Sequence, residues 1–525
     1  MLSKSFPRDS YFLPTIAICF GLLLLIFFEP LSYDNAIYHQ VAREIYQFHR
    51  LPYLGTWYHD LPGFIYLDYI GIRLFGTADT TVRIIDILLQ FVFCAVLYKL
   101  CRLWLTAHMA AIATVLYASF FVAGGQSVYF ERDGYASMFC ITAFYLLVRE
   151  YHHSLSRTGS FFLAALLSGY ALMIKPTAGL YVVLVAIFIL LREADRNGIG
   201  RRIVRLVAFC IAAAIPIAMV VLFYSGLPGG LKALYLVTIQ YNLDIYAGGH
   251  SGVQEIAFNV LRTAFLFPFA AYGAWMLYRG KMERCFNSDV PKISPWFYYG
   301  ALIATFATVV VQGKFWQYQW VPFCILLVPL AAIAIEWITE RVSNPVARHY
   351  ALIGCIMLCS FVQMNPKSQA SILYDITHRQ PLFGDTYDFA SLTPDFGVKA
   401  ERSTLRYLDS VGVKDREVEI CAIEPHLRLH FQHEALGAYE LLFPISQKPI
   451  GSPRNIPLTP YQREWQRAYF DTLRVNQPRF MVISLPSVWT GVDTILHQIP
   501  GFDSFFSTQY THDTAFGAYH IYRHR

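Results

Sequence analysis

Charged and aromatic side chains recur in five short segments of this chain, each beside a long apolar run. Asp34 follows the first apolar run, and the next segment has His59 and Asp60 among aromatic residues. The remaining segments supply Glu131, Arg132 and Asp133, then Lys175 before a proline, then Lys314 and Tyr318. Carboxylates can take a proton from a hydroxyl group, and basic side chains stabilise phosphate oxygens. The combination indicates a site for a phosphorylated lipid and a polar acceptor.

Each segment also has an ordinary structural interpretation. Asp34 could cap a helix that starts near Ala36. The segment with His59 and Asp60 could be an interfacial turn, since tryptophan and tyrosine favour membrane interfaces. The acidic segment could be a solvated helix end, Lys175 could extend toward lipid headgroups, and the rings around Lys314 could form an aromatic belt.

The composition indicates a membrane protein. The 525 residues are 55% hydrophobic and 15% charged, whereas soluble domains carry roughly 25% charged residues. The net charge of +6 comes from short basic clusters between apolar runs, so we expect no nucleic-acid partner. The ten cysteines include no CxxC pair, which indicates neither a zinc site nor a disulfide framework.

Apolar runs set the predicted architecture. A bilayer core about 30 Å thick requires roughly 20 apolar residues per helix. The sequence predicts a polytopic α-helical membrane protein with about eleven spans, at 11–28, 82–100, 108–122, 135–148, 161–174, 177–191, 203–224, 256–278, 296–311, 321–338 and 350–362. The first run is not followed by a small-residue cleavage site, so we interpret it as an uncleaved span rather than a signal peptide.

Basic residues indicate the orientation of these spans. With a cytoplasmic N-terminus, the inner segments carry clusters such as 201–205, and the short outer segments carry isolated basic residues. An odd number of spans places the C-terminus outside. We therefore expect a multi-pass protein of the cell (inner) membrane with all five polar segments on its outer face.

The tail has a different character. From about residue 364 it is polar and alternates helical and strand patterns, with helices predicted at 401–411 and 460–473 and strands at 417–423, 479–485 and 517–522. We predict a transmembrane domain at 1–363 and an extracytoplasmic α/β domain at 364–525.

Other classes of protein fit less well. The chain shows no Walker loop, GxGxxG, HExxH or GxSxG motif in a supporting context. A transporter or flippase of lipid-linked sugars would use buried charges but should show inverted repeats and broken helices at mid-membrane. A ligase of lipid-linked sugars is the neighbouring enzymatic alternative.

The order of these motifs resembles a known group of enzymes. Asp34 before a helix, Leu51-Pro52 leading into the segment with His59 and Asp60, and Arg83 resemble the opening of the GT-C superfamily. The similarity is to its protein mannosyltransferase and aminoarabinose transferase-like branch, glycosyltransferase family 39 and relatives. It covers about residues 10–340 and includes the acidic segment, the Lys175-Pro176 hairpin, and Lys314 with Tyr318.

The resemblance implies a GT-C-like fold and an inverting glycosyltransferase that uses a polyprenyl-phosphate sugar. The acceptor would be a glycan, lipid or protein at the outer face, and membrane lipid would surround the chain. Asp34 matches the presumed base, and Asp133 with Glu131 matches a second acidic position that is sometimes tied to a divalent metal. Family members usually have an acidic residue or histidine before two prolines, so the corresponding residue here is either His59 or Asp60.

Overall fold

The computed structural model describes residues 9–29, 31–153, 158–192, 199–245, 257, 266–279, 295–361, 398–422, 425–439, 442–447, 457–484 and 492–525. Most of these residues are helical, as the sequence predicts. The helices are α1 (Phe12–Leu23), α2 (Tyr33–Phe48), α3 (Gly63–Phe75), α4 (Thr80–Arg102), α5 (Ala107–Ala123), α6 (Arg132–His153), α7 (Thr158–Ile174), α8 (Gly179–Arg192), α9 (Ile199–Ser225), α10 (Gly230–Tyr235), α11 (Tyr241–Asp244), α12 (Leu266–Tyr278), α13 (Pro295–Gln312), α14 (Val321–Thr339), α15 (Pro345–Phe361), α16 (Val398–Ser410), α17 (Pro425–His430), α18 (Pro460–Asn476), α19 (Val492–His497) and α20 (Phe502–Gln509).

The chain forms two compact units. The first comprises Met1–Glu29, Arg83–Leu222 and Gly252–Gln369, and the second comprises Pro30–Val82, Phe223–Ser251 and Ala370–Arg525. The predicted division at residue 363 stays a prediction. The packing groups two internal segments with the tail, which a cut at a single position does not capture.

Several helices of the first unit are apolar enough for a membrane. By length and composition, α4, α9 and the run Gln317–Thr339 could each cross a bilayer, and Ala107–Ala123 and Thr158–Ile174 are among the shorter apolar helices. These helices lie where the sequence predicts spans. Part of the predicted span 256–278 lies outside the described residues, and the count of eleven stays a prediction.

Two glycines allow helices of the first unit to pack closely. A Cβ atom on Gly169 of α7 would lie 1.9 Å from the carbonyl oxygen of Ala213 in α9. One on Gly273 of α12 would lie 1.9 Å from the carbonyl oxygen of Leu330 in α14. Small residues at such contacts are typical of helices that pack in lipid, where van der Waals contact replaces the hydrophobic effect.

The start of α2 corrects one interpretation of Asp34. The helix begins at Tyr33, and the Ser32 hydroxyl accepts a hydrogen bond from the backbone N–H of Asn35 at 3.1 Å. Ser32 is therefore the N-cap, and Asp34 lies inside the first turn. The interpretation of Asp34 as the cap is wrong, because the helix starts earlier than the apolar pattern suggested.

Buried hydrogen bonds and an ion pair connect α2 to α17 within the second unit. The Arg43 guanidinium donates to the carbonyl oxygens of Leu429, of Arg428 at 3.2 Å and of Phe431 at 2.7 Å. The C-terminal carbonyls of a helix have no partner within it, so Arg43 satisfies two carbonyls at the end of α17 and one just after it. Arg428 in turn lies 3.3 Å from Glu44, and both side chains are buried.

A four-stranded sheet lies in the C-terminal part of the second unit. Its strands are β1 (Val418–Cys421), β2 (Phe480–Ser484), β3 (Tyr510–Phe516) and β4 (Tyr519–His524). Their order is β1-β2-β4-β3, and β1 pairs parallel with β2 while the other pairs are antiparallel. Residues of β1 and β2 are buried throughout. Thr459 and Gln462 form a capping box at the start of α18, which explains the predicted helix there.

Candidate active site

The acidic segment enters α6 through an unusual backbone conformation. Phe130 has a φ of 49°, in the left-handed region that residues other than glycine seldom adopt. Arg132 then starts α6, and Asp133 lies in its first turn, where the helix dipole stabilises a carboxylate. Glu131, Arg132 and Asp133 are all buried. Three charged residues held away from solvent are costly, which favours a functional role over the solvated helix end.

Lys175 binds Asp133 directly. The Lys175 ammonium donates to Oδ2 of Asp133 and, at 2.7 Å, to Oε1 of Gln312. The Gln312 amide donates to Oδ1 of Asp133 at 3.0 Å. Lys175 precedes Pro176 between α7 and α8, and Gln312 ends α13. We call Asp133, Lys175 and Gln312 the lysine triad; it fixes the ammonium between a charged and a neutral acceptor.

The turn between α13 and α14 adds aromatic rings to the lysine triad. The Lys175 Nζ atom lies 5.8 Å from the centre of the Tyr318 ring. Lys314 is buried, and its Nζ atom lies 4.9 Å from the centre of the Trp316 ring. The Trp316 and Tyr318 rings are themselves 5.7 Å apart. The two distances from an ammonium to a ring are typical of cation–π contacts. The turn therefore places a second ammonium group, that of Lys314, near the ring that lies beside Lys175.

Glu131 and Arg132 lie close enough to Lys175 for their charges to act on its ammonium group. The first unit therefore brings together the predicted residues of three segments: Glu131, Arg132 and Asp133; Lys175; and Lys314 with Tyr318. The snorkelling interpretation of Lys175 does not fit, because its ammonium binds protein acceptors rather than extending into an exposed position.

The predicted metal ligands do not form a recognisable metal site. In the part of the chain that the structure describes, no group of three or more histidine, cysteine, aspartate or glutamate residues is placed to hold a metal ion. Both carboxylate oxygens of Asp133 already accept hydrogen bonds from the lysine triad. Asp133 and Glu131 are the residues that would hold a metal ion, and the positive charge of Lys175 on Asp133 would oppose its binding.

The other three predicted residues lie in the second unit. Asp34 is half-buried in the first turn of α2. The His59 Nε2 atom lies 3.2 Å from Oδ2 of Asp60, and the His59 ring stacks on Trp57 at 5.3 Å between centres. Asn242 donates to the backbone carbonyl of His59 at 2.6 Å. His59 and Asp60 thus form one polar unit, and which of them matches the family position stays open.

Sequence reasoning missed three polar groups that the structure makes prominent. Gln312 completes the lysine triad although it ends an apolar run. Asp86 is buried inside α4 and hydrogen-bonded to the acidic segment. His430 pairs with carboxylates from two other segments. A lone acid within a predicted span is a signal that could have found Asp86, whereas the partners of His430 leave no local pattern.

His430 lies between two carboxylates in the second unit. Its Nε2 atom is 3.1 Å from Asp79, and its Nδ1 atom contacts Glu401. Nearby, the His39 Nδ1 atom is 3.0 Å from Asp68. Burial acts to lower the pKa of His430, but the charges and hydrogen bonds of Asp79 and Glu401 outweigh it and raise the pKa well above 6.5. The folded state therefore favours the imidazolium form.

This raised pKa gives an expected pH dependence of stability. The stabilisation from His430 is complete below about pH 6.5 and is lost as the pH rises through the raised folded-state pKa. Thermal unfolding is measured from about pH 5.5 to about pH 9. We expect the loss of stability that His430 causes at rising pH to be absent in His430→Gln. His497→Gln is the matched control, because the His497–Asp503 pair is exposed. Identical pH profiles for the wild type and His430→Gln would refute the expected dependence.

Comparisons with known proteins agree with this architecture. The family described as dolichyl-phosphate-mannose-protein mannosyltransferase matches residues 60–223. No curated protein matches the chain in sequence. The crystal structure of ArnT from Cupriavidus metallidurans bound to undecaprenyl phosphate has a TM-score of 0.62 and 14% identity, over 98% of this chain and 98% of that one. ArnT in the apo state has a TM-score of 0.60 and 13% identity, over 97% of both chains.

A third structure is similar over a smaller share of its own length. It is the archaeal oligosaccharyltransferase AglB from Archaeoglobus fulgidus in complex with an inhibitory peptide and a dolichol-phosphate. The TM-score is 0.50 at 12% identity, over 99% of this chain and 75% of that one.

The chain has the fold of ArnT and carries apolar helices long enough to cross a membrane, which agrees with the resemblance predicted from the motifs. Its residues 60–223 carry the pattern of the mannosyltransferase family. That segment includes Asp60, the acidic segment and Lys175.

Proposed function

We propose that this chain is an inverting glycosyltransferase that moves a sugar from a polyprenyl-phosphate donor to an acceptor at the outer face of the membrane. The lysine triad carries the proposal. It presents a buried ammonium at the end of apolar helices, where a lipid phosphate would lie. The matching mannosyltransferase family and the lipid-phosphate complexes of ArnT and AglB support this choice of donor.

The proposed reaction is a direct displacement. The acceptor hydroxyl attacks the anomeric carbon, and the bond from that carbon to the phosphate oxygen breaks. Asp34 accepts the hydroxyl proton as general base. The configuration at the anomeric carbon inverts because the nucleophile enters opposite the leaving group.

The departing phosphate gains negative charge, which Lys175 would stabilise as the bond breaks. Asp133 and Gln312 hold the ammonium in place, so little reorganisation is needed during the reaction. Arg132 adds positive charge close to Lys175. We assign His59 and Asp60 to binding the sugar or acceptor, since a carboxylate and an imidazole accept and donate hydrogen bonds to hydroxyl groups.

The finer architecture is part of this proposal. It includes about eleven spans, a cytoplasmic N-terminus, an extracytoplasmic α/β domain at 364–525 and a place in the cell (inner) membrane. The acceptor is a glycan, a lipid or a protein, and the sugar is a hexose or a pentose. A divalent metal is not needed for the steps above.

We expect the end of the chain to lie outside the cytoplasm. The physical reason is the odd span count together with the basic clusters, such as 201–205, on the opposite side. The measurement is a fusion after Arg525 to a reporter that is active only in the cytoplasm, with the same reporter fused after Arg202 as the positive control. A silent reporter at Arg525 and an active one at Arg202 are expected; activity at Arg525 would overturn the orientation.

A panel assay tests the proposed activity and identifies the sugar. Purified protein is incubated with polyprenyl-phosphate sugars and with membrane lipid, glycan and peptide acceptors, and the released lipid phosphate is measured by mass spectrometry. The anomeric configuration of the product is then determined by NMR. We expect acceptor-dependent release and inverted configuration; a product with retained configuration would contradict the direct displacement.

A further inference from the structure

We propose that Asp86 is a positioning residue that holds the acidic segment, and through it Lys175, in the geometry that binds the donor phosphate. Asp86 lies in α4 and is 1% exposed. Its Oδ1 atom accepts hydrogen bonds from the Tyr135 hydroxyl at 2.8 Å and from the Gln90 amide at 3.4 Å. Its Oδ2 atom accepts one from the backbone N–H of Phe130 at 3.3 Å. The binding of a donor phosphate by Lys175 rests on the proposed function, whereas the hydrogen bonds of Asp86 are independent of it.

Two of these contacts flank the acidic residues. Phe130 directly precedes Glu131, and Tyr135 follows Asp133 by two positions in α6. Phe130 has a φ of 49° and is fully buried. A strained backbone persists only where its surroundings over-determine it. The Asp86 carboxylate supplies that restraint from both sides of Glu131–Asp133.

A second carboxylate restrains the other end of the same loop. Glu29 is buried and accepts a hydrogen bond from the backbone N–H of Gln126 at 3.2 Å. The Arg83 side chain donates to the backbone carbonyl of Glu29 at 2.8 Å. Arg83 and Asp86 are both in α4, so this helix supports the loop from Gln126 to Phe130 at both ends.

The restraint reaches Lys175 through Asp133. Asp133 belongs to the same first turn of α6 as Tyr135, and its carboxylate binds the Lys175 ammonium. A shift of the acidic segment by about 1 Å would move this carboxylate and change the position of the ammonium. The cost of burying Asp86 in α4 is offset by three hydrogen bonds, two of which hold Phe130 and Tyr135 beside the acidic residues.

The chemistry of Asp86 requires a carboxylate. Three donors point at its two oxygens, namely a hydroxyl, an amide and a backbone N–H. Asparagine has one oxygen and an NH₂ group, so in Asp86→Asn at least one of the three donors loses its acceptor or has to reorient. Tyr135→Phe removes one contact at nearly constant size. If Asp86 served only helix packing, its substitution would lower the stability of the protein without a specific effect on lipid-phosphate binding at Lys175.

Two measurements test the proposal. The first is hydrogen–deuterium exchange of peptides covering 124–135 in the wild type, Asp86→Asn and Tyr135→Phe. The second is the affinity of each variant for undecaprenyl phosphate in detergent, alone and combined with Lys175→Ala. Glu336→Gln is the matched control, because Glu336 is a buried carboxylate of the first unit that binds Arg348 and His108 away from the loop.

We expect faster exchange at 124–135 in Asp86→Asn, a smaller effect in Tyr135→Phe, and none in Glu336→Gln. We also expect about tenfold weaker binding of undecaprenyl phosphate in Asp86→Asn, roughly the size of one hydrogen bond to a charged group. In the Lys175→Ala background this further loss should disappear, because the ammonium that the segment positions is gone.

The outcomes separate this proposal from the proposed function. Unchanged exchange at 124–135 in Asp86→Asn would overturn the proposal. An equal loss of affinity with and without Lys175 would also overturn it, since Asp86 would then act elsewhere. Faster exchange, combined with normal lipid-phosphate binding by Lys175→Ala, would support the restraint of the segment but refute the donor role of Lys175, and with it the proposed function.

Discussion

Asp34→Asn should abolish glycosyl transfer while leaving the protein folded. Asparagine keeps the size of the side chain but cannot accept a proton at neutral pH. Loss of a general base typically lowers the rate about a hundredfold or more. Ser32, rather than Asp34, caps α2, so the substitution leaves the cap intact. The measurement is the turnover number with the selected donor and acceptor at saturation.

Ser32→Ala is the control for the helix. It removes the cap hydrogen bond to Asn35 and should cost about 1 kcal/mol of stability while retaining most of the transfer activity. If Asp34→Asn kept more than about a tenth of wild-type turnover, well above the loss expected for a general base, Asp34 would not be the base. If Ser32→Ala lost as much activity as Asp34→Asn, the effect would belong to the helix start rather than to the carboxylate.

Lys175→Ala should lower kcat and raise KM for the donor together. The ammonium contacts the phosphate in the bound donor and stabilises it further as the charge develops, so the loss should appear in the rate as well as in binding. We expect kcat/KM for the donor to fall about a hundredfold, as for other groups that stabilise a developing oxyanion. Lys175→Arg should partly restore it, because charge matters more than shape here. Steady-state kinetics with varied donor at saturating acceptor measure this.

Removing Lys175 also leaves Asp133 without its cation, which destabilises buried pairs by about 3–5 kcal/mol. The double variant Lys175→Ala, Asp133→Asn removes both charges and separates the two effects. We expect the double variant to regain thermal stability but not donor turnover. Normal kinetics in Lys175→Ala would exclude Lys175 from the site and transfer the phosphate role to Arg132 or Lys314.

The order of the spans was enough to assign Lys175 and Asp133 to one site, but not to predict that they pair directly. The two residues are 42 positions apart, and no local pattern connects them. The predicted alternation of the spans nevertheless puts both on the same face of the membrane, which is why the sequence predicted them for one site. The same argument covered Tyr318, whose ring lies beside Lys175.

Contacts that depend on side-chain direction were not predictable in this way. Gln312 lies 137 positions from Lys175, and an amide at the end of an apolar run looks like an ordinary helix end. His430 meets Asp79 across 351 positions. Its pKa depends on that contact rather than on its neighbours in sequence. Such pairs depend on tertiary packing, and the hydrophobic periodicity of the sequence does not predict them.

The start of α2 shows a different limit. Ser32, Asp34 and Asn35 all favour helix N-caps. The helix begins at Tyr33, which makes Ser32 the N-cap. The sequence left Asp34 open as either a helix cap or a functional residue, and the structure places the cap at Ser32. Capping therefore does not explain Asp34, which lies in the first turn of α2.

Mass balance in reconstituted vesicles tests the central claim, transfer of a sugar from a polyprenyl-phosphate donor, most directly. The protein is incorporated into liposomes that contain the donor selected by the panel, and the donor, the free polyprenyl monophosphate and the glycosylated acceptor are quantified by mass spectrometry. We expect one polyprenyl monophosphate for each glycosylated acceptor, with neither product formed by Asp34→Asn. Movement of the intact donor across the bilayer without release of its phosphate would contradict the account and identify the protein as a transporter.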